Sequence, residues 1–140
     1  MNKIVDFNKI GYVAATFEVD AATQAYLKAN HLNAKTGNVD INGKNLAVKL
    51  GTDGKVGFGN GTPTAADALL GIIVAYEMDG FCSVQIAGGI DGVPTKEAVE
   101  GGRKALAVNN KGEIVVVTGA RDTVVAKPSE VSNLFASIIL

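Results

Sequence analysis

The chain has 140 residues, 47% of them hydrophobic and 19% charged, with a formal net charge of −1. That length allows one domain with a proper core and not two comfortable ones, so residues 1–140 read as a single domain. No Lys/Arg stripe is available to neutralise a phosphate backbone, and the longest apolar stretch, around Ala68 to Tyr76, falls far short of a bilayer span. Nucleic acid and membrane are thereby disfavoured as partners. Charge this low, with 17 Gly and no Trp, suggests strands and turns carrying a weakly charged surface suited to burial against other subunits.

The first residues, Met1 to Phe7, precede any clear element, and 1–9 reads as an extended arm. Asp6 and Asn8 stand where a secretory signal needs an apolar core, and the lone Cys82 can form no internal disulfide. Both fit a protein made in a reducing cytoplasm. The segment "VDAATQAYLKANHLN" opens with the N-cap residue Asp20 and predicts a helix near Ala21–Leu32. Its expected buried stripe is Ala22, Ala25, Tyr26 and Ala29, with Leu27 beside it.

Turn signals then recur between β-prone stretches: Asn42-Gly43, Asp53-Gly54, Asp79-Gly80 and Lys111-Gly112. Such pairs suit type I′ hairpin turns, whose two central residues need positive φ. Residues Leu69–Met78 and Phe81–Ala87 read as a hairpin across Asp79-Gly80, with Cys82, Val84 and Ile86 on one face and Ser83 and Gln85 on the other. "PTKEAVEGG" suggests a further short helical turn, and "EIVVVTG" and "LFASIIL" further strands. The fold expected is mainly β: a compact barrel or sandwich built of hairpins, with one short N-terminal α-helix. A faint echo links "GKNLAVKLGTDGKVGFGNG", starting at Gly43, with "GRKALAVNNKGEIVVVTGA", starting at Gly102. It suggests two related hairpins within one barrel or sandwich, the alternative being coincidence between two generic hairpins.

"GFGNGTPT" places Gly57, Gly59 and Gly61 ahead of an apolar run. A dinucleotide loop needs G-x-G-x-x-G between a strand and a long helix, whereas here the third glycine comes one residue early and Thr62-Pro63 follows. These glycines read as turn chemistry. His31, the one histidine, falls near the helix end, where a cationic or hydrogen-bonding side chain is favoured; with no recognisable nucleophile to serve, it reads as structural or solvated. Cys82 reads as a small buried apolar side chain. Zinc requires more Cys and His ligands than this chain has. Asp67, Glu77, Asp79 and Asp91 are accounted for by turn and surface positions. No catalytic, cofactor or metal site is expected.

The order "VKLGTDGKVGFGNG", "ALLGIIVAYEMDGFCSVQIAGGIDGV", "GGRKALAVNNKGEIVVV" resembles the small capsid decoration, or cement, proteins of tailed bacteriophages. The likeness rests on Leu70-Gly71-Ile72, on Val84-Gln85-Ile86-Ala87-Gly88-Gly89-Ile90, and on Ala105-Leu106-Ala107-Val108 with Lys111-Gly112. It covers roughly Asn42 to Val117; "EGGRKALAV" lacks the usual Gly-Asp step, and the N-terminal helix and "AKPSEVSNLFASIIL" fit less well. The resemblance implies a compact β-rich protein, often a homotrimer, that binds the major capsid protein on the outer surface of the virion and has no cofactor. The rival classes are another virion module, from a tail or fibre, and a small ligand-binding β-barrel or enzyme. If the chain is a decoration protein, the arm residues Asn2, Lys3, Ile4, Val5, Asp6 and Phe7 are its expected capsid contacts. Ile4, Val5 and Phe7 would fill pockets while the backbone added a strand to a neighbouring sheet; the alternative is an arm packed on its own domain.

Overall fold

The computed structural model describes residues 11–77, 79–128 and 134–140. The proposed contact arm, Asn2 to Phe7, and Met78 lie outside the described residues. The rest is mainly β, as expected. Ten strands form two five-stranded antiparallel sheets. The first contains β1 (Val13–Glu18), β2 (Ala47–Leu50), β3 (Val56–Gly57), β4 (Leu69–Tyr76) and β5 (Phe81–Ala87). The second contains β6 (Gly89–Pro94), β7 (Gly102–Val108), β8 (Ile114–Val116), β9 (Asp122–Pro128) and β10 (Phe135–Ile139).

The two sheets repeat one design. Their orders are β1-β5-β4-β2-β3 and β6-β10-β9-β7-β8, which is the same connectivity started again at β6. Details recur with it. Just beyond β1, Val19 makes a parallel bridge to Val56 of β3; just beyond β6, Thr95 makes one to Ile114 of β8. Each sheet thus curls until its first strand meets its third. The hydrogen bonds of that closure match as well. Val19 N–H donates to Gly80 O and Asp20 N–H to Val56 O; in the second sheet Thr95 N–H donates to Leu134 O and Lys96 N–H to Ile114 O. Both fourth strands carry a bulge at the equivalent place, Val74 against β5 and Ala126 against β10. A bulge sharpens local twist, which is what a sheet needs in order to curl.

Each unit has its own core. Leu46, Val48, Val56, Ile73, Cys82 and Val84 pack in the first with Val19, Leu27 and Ile41. Ile90, Val93, Leu106, Val108, Ile114, Val125 and Ile138 pack in the second, joined there by Ala47 and Ile72 from the first sheet. Alternation along β2 and β4 explains the sharing: Val48 and Ile73 point into their own unit, while Ala47 and Ile72 point from the opposite face into its neighbour. Polar contacts hold the units together. Ala47 N–H donates to Gly112 O at 2.8 Å and Gly59 N–H to Asn109 O at 3.1 Å. Asn45 Nδ2 donates to Asp91 O at 2.9 Å, and Gln85 Nε2 to Gly89 O at 3.0 Å.

Helix α1 (Ala21–Asn30) is inserted after β1 and has no counterpart in the second unit. Asp20 caps it, accepting from Thr23 N–H at 2.7 Å; such a cap is worth about 1 kcal/mol. The expected alanine stripe is not the buried face. Thr23 and Leu27 are buried, whereas Ala22, Ala25 and Ala29 are exposed. Three alanines offer little apolar area, so one leucine with a half-buried Tyr26, edge-on to Phe58 at 5.5 Å, outweighs them.

The turns also differ from expectation. Asn45 is the one non-glycine with positive φ among the described residues, so no Asp-Gly or Lys-Gly pair forms a type I′ turn. Three hairpins use three-residue loops ending in a left-handed glycine: Gly54 (φ 79°), Gly80 (φ 87°) and Gly112 (φ 79°). In each, the flanking pair closes through one backbone–backbone bond, from Gly51 N–H to Lys55 O, Glu77 N–H to Phe81 O and Asn109 N–H to Glu113 O. Asp53 and Asp79 then accept the N–H two residues on, at 3.0 and 3.1 Å. Asn42-Gly43 makes a turn ahead of β2, not a hairpin. Residues 96–101 form no helical turn, because the bond from Lys96 to Ile114 holds the entry extended while Val99 enters the second core.

Candidate functional site

The polar groups that chemistry could use concentrate around the glycine loop. Gly57 and Gly59 permit close approach. A Cβ on Gly57 would occupy the space of the Asp20 carboxylate, and one on Gly59 would strike the carbonyl of Val108 and the side chain of Asp67. The loop therefore lies against two acidic side chains, an environment hostile to a phosphate. Close packing, not turn conformation, is what calls for Gly57 and Gly59: neither has a positive φ, and Gly57 lies in β3.

Asp67 overturns its surface assignment, because it is fully buried. It ends a 3-10 turn, Ala65–Asp67, in a capping box with Thr64. Its Oδ1 accepts from Lys49 Nζ at 2.8 Å, and its Oδ2 accepts from Asn60 Nδ2 and Thr64 N–H, both at 3.2 Å. Burial pushes the Asp67 carboxyl up, but the bonds from Lys49, Thr64 and Asn60 together with the Lys49 charge bring it below its ordinary value. It is thus an ionised carboxylate whose acceptors are engaged, suited to pinning the loop and poorly suited to moving a proton. The sequence signal that was passed over is the T-x-x-D spacing at Thr64, which forms a capping box.

The other acids do not converge with it. Asp79 caps its turn. Asp91 lies within β6, not in a turn, and its Oδ1 accepts from Ser137 Oγ at 2.6 Å; Gly92 (φ 72°) sits beside it at a pairing irregularity. Glu77 opens the β4–β5 turn. His31 follows α1, with its N–H on Leu27 O at 2.8 Å. Burial first, then the Lys44 charge, lowers its basicity, which disfavours a cation at the helix end. Gln85, expected on the polar face, is buried, and its amide spans Ala87 O and Gly89 O. It holds the junction between the two units.

Cys82 faces the first core beside Val84 and Ile73, and burial pushes its thiol up from 9.0 to about 11. A nucleophile needs the opposite shift. The neutral thiol is favoured in the folded chain only, so stability should decline as pH rises past 9 and level off beyond about 11. A shift of that size is worth roughly 2–3 kcal/mol. Urea unfolding at pH 8 and pH 11 checks this: Cys82→Ala should lose that much less between the two pH values than the native chain.

Small clefts border the inserted segment, among them one of about 230 Å³ at Asn30, His31, Asp40 and Lys44. Another, of about 270 Å³, is lined by Lys28, Leu32, Gly37, Asn38, Val39 and Tyr76. A third, about 240 Å³, lies over Tyr26, Phe58 and Gly59. All three are smaller than the roughly 300–1,000 Å³ of most small-molecule sites. Among the described residues no three His, Cys, Asp or Glu side chains are grouped as metal ligands, and no helix is long and apolar enough to cross a membrane. The sequence matches no protein-family model and no curated protein.

Proposed function

We propose that the chain is a non-enzymatic structural protein of a tailed-phage head, bound to the major capsid protein on the outer surface and stabilising the assembled shell. One observation supports this above others: the groups that chemistry would recruit already hold the fold. Asp67 pins the glycine loop, Cys82 lies in a core, Asp91 binds Ser137 and Gln85 clamps the junction. The stretches that carry the resemblance fall on β2 to β8, and their glycines serve the turns and close strand contacts of that region. Binding the assembled shell in preference to its free subunits would stabilise the shell by mass action. Self-association as a homotrimer would multiply modest contacts into strong retention.

The test uses undecorated shells assembled from the major capsid protein encoded by the same genome. The chain should co-sediment with them, appear as added density on their outer surface, and raise their disruption temperature. Failure to bind shells would overturn this proposal. Removal of Met1 to Phe7 should leave the melting temperature of the chain within a few degrees and weaken shell retention at least tenfold. If retention is unchanged, or the shortened chain unfolds, the arm is not the tether.

A further inference from the structure

The doubled architecture places one kind of residue twice on the surface. Phe81 is the first residue of β5 and Phe135 the first of β10, and these strands are equivalent in the two units. Both phenylalanines are exposed, by 41% and 42%. Their cross-strand partners are Glu18 and Pro94, equivalent positions on β1 and β6. Behind each Phe the strand continues alike: Phe81-Cys82-Ser83-Val84 against Phe135-Ala136-Ser137-Ile138. Cys82 and Ala136 point inward and Val84 and Ile138 fill the two cores, while Ser83 is half-buried and Ser137 is buried on Asp91.

The retained phenylalanine calls for a different explanation from the retained core. Inward positions are constrained by packing, and they have still diverged, Cys against Ala and Val against Ile. An aromatic ring left two-fifths in water contributes little to the fold, yet it stands at the same place in both units. Aromatic side chains are also over-represented among the residues that dominate protein interfaces. The surroundings differ: Phe81 lies across from Glu18, which is paired with Lys55, while Phe135 lies across from Pro94 and follows the exposed Leu134. What is common is the anchor and its position, not the rim.

We infer that the chain docks bivalently, Phe81 and Phe135 each entering the same apolar pocket on two neighbouring, identical subunits of its partner. A partner of identical repeating subunits is the occupant that gives a use to two copies of one anchor on one chain. This rests on the shell-binding function proposed above. Linking two modest contacts raises overall affinity by about 10²–10⁴ without any new contact.

The experiment titrates Phe81→Ser, Phe135→Ser and the double variant onto the same undecorated shells, with melting curves and sedimentation of the free chain alongside. Each ring is about three-fifths covered, so melting should fall by a few degrees and the variants should stay folded. Each single variant should bind about 10²-fold or more weakly, the double variant should keep only the residual retention that the arm supplies, and at high concentration each single variant should saturate at up to twice the wild-type number of chains per shell. If only one phenylalanine matters, if neither does, or if saturation stays at the wild-type number, bivalent docking is overturned while shell binding stands. If the variants alter the oligomeric state of the free chain and leave shell binding intact, the anchors serve self-association and the inference also fails. A native chain that ignores shells overturns both proposals.

Discussion

Replacing Asp67 with alanine should lower global stability by roughly 3–5 kcal/mol, toward the lower end of that range. The carboxylate is fully buried, and it alone links Lys49, Asn60 and the backbone of Thr64. Its removal leaves three donors without their acceptor and undoes the capping box that turns the chain into β4. Lys49 retains access to water, with 27% of its side chain exposed, so the stranded ammonium limits the damage. Asp67→Asn keeps the shape and the acceptor for Thr64 and should cost about 1–2 kcal/mol. The pH dependence follows from the lowered carboxyl. Its contribution is fully present above the ordinary value near 3.8 and is lost as pH falls through the depressed folded value. Lys49→Met should shrink that loss, because without the Lys49 bond and charge the folded value rises toward the ordinary one. Urea titrations from pH 2 to pH 7 on the three variants measure both effects, and an Asp67→Ala protein as stable as the native chain would refute the role given to this carboxylate.

Gly71→Ala should cost roughly 3 kcal/mol, or about 10 °C in melting temperature. Gly71 lies in β4, between β2 and β5 in the first sheet. A Cβ there would drive into the backbone carbonyl of Gln85 and stand 2.8 Å from Val84 Cγ1. Backbone cannot step aside as a flexible side chain can. The carbonyl belongs to the residue whose amide holds the junction between units, so the strain falls where both units depend on it. Gly37→Ala is the control: its added methyl meets nothing within 4 Å, and only its φ of 73° resists, at a cost of about 1–2 kcal/mol. Thermal melts of the two variants separate steric intrusion from backbone strain.

The parts of the fold that sequence made legible are those governed by local chemistry. Asp20 caps the helix as expected, and Asp79-Gly80 joins β4 to β5. The strands β1, β6 and β9 were not anticipated. β6 contains Gly89, Gly92 and Pro94, residues that ordinarily interrupt a strand, and its pairing with β10 accommodates them at an irregularity. The echo of Leu-Ala-Val was real evidence of repetition, read in the wrong register. Leu46 lies eight residues before the turn glycine Gly54, whereas Leu106 lies six before Gly112, so the motif is two residues out of step with the turns it was matched to. A shift of two leaves every side chain on its original face, which is why the match looked sound. The related hairpins, β2–β3 and β7–β8, stand in separate sheets. The Asp67 cluster was illegible for another reason: Lys49 and Asp67 come from different elements, and only the fold brings their charges together.

Both sheets pair their first strand with their last, β1 with β5 and β6 with β10. During synthesis this imposes an order of events. The first unit has every strand it needs once Ala87 has been added, before any of β6 exists, because its closure draws on nothing later than β5. It can therefore close alone on the growing chain, in keeping with the general N-to-C sequence of folding during synthesis. Once closed, it presents Ala47 and Ile72 as a finished apolar wall, and these are the residues it contributes to the second core. The second unit then condenses on a template and not in free solution, which shortens its search through long-range pairings. A lesion in β2 or β4 would thus act twice, first on the unit that contains it and then on the unit that is cast against it.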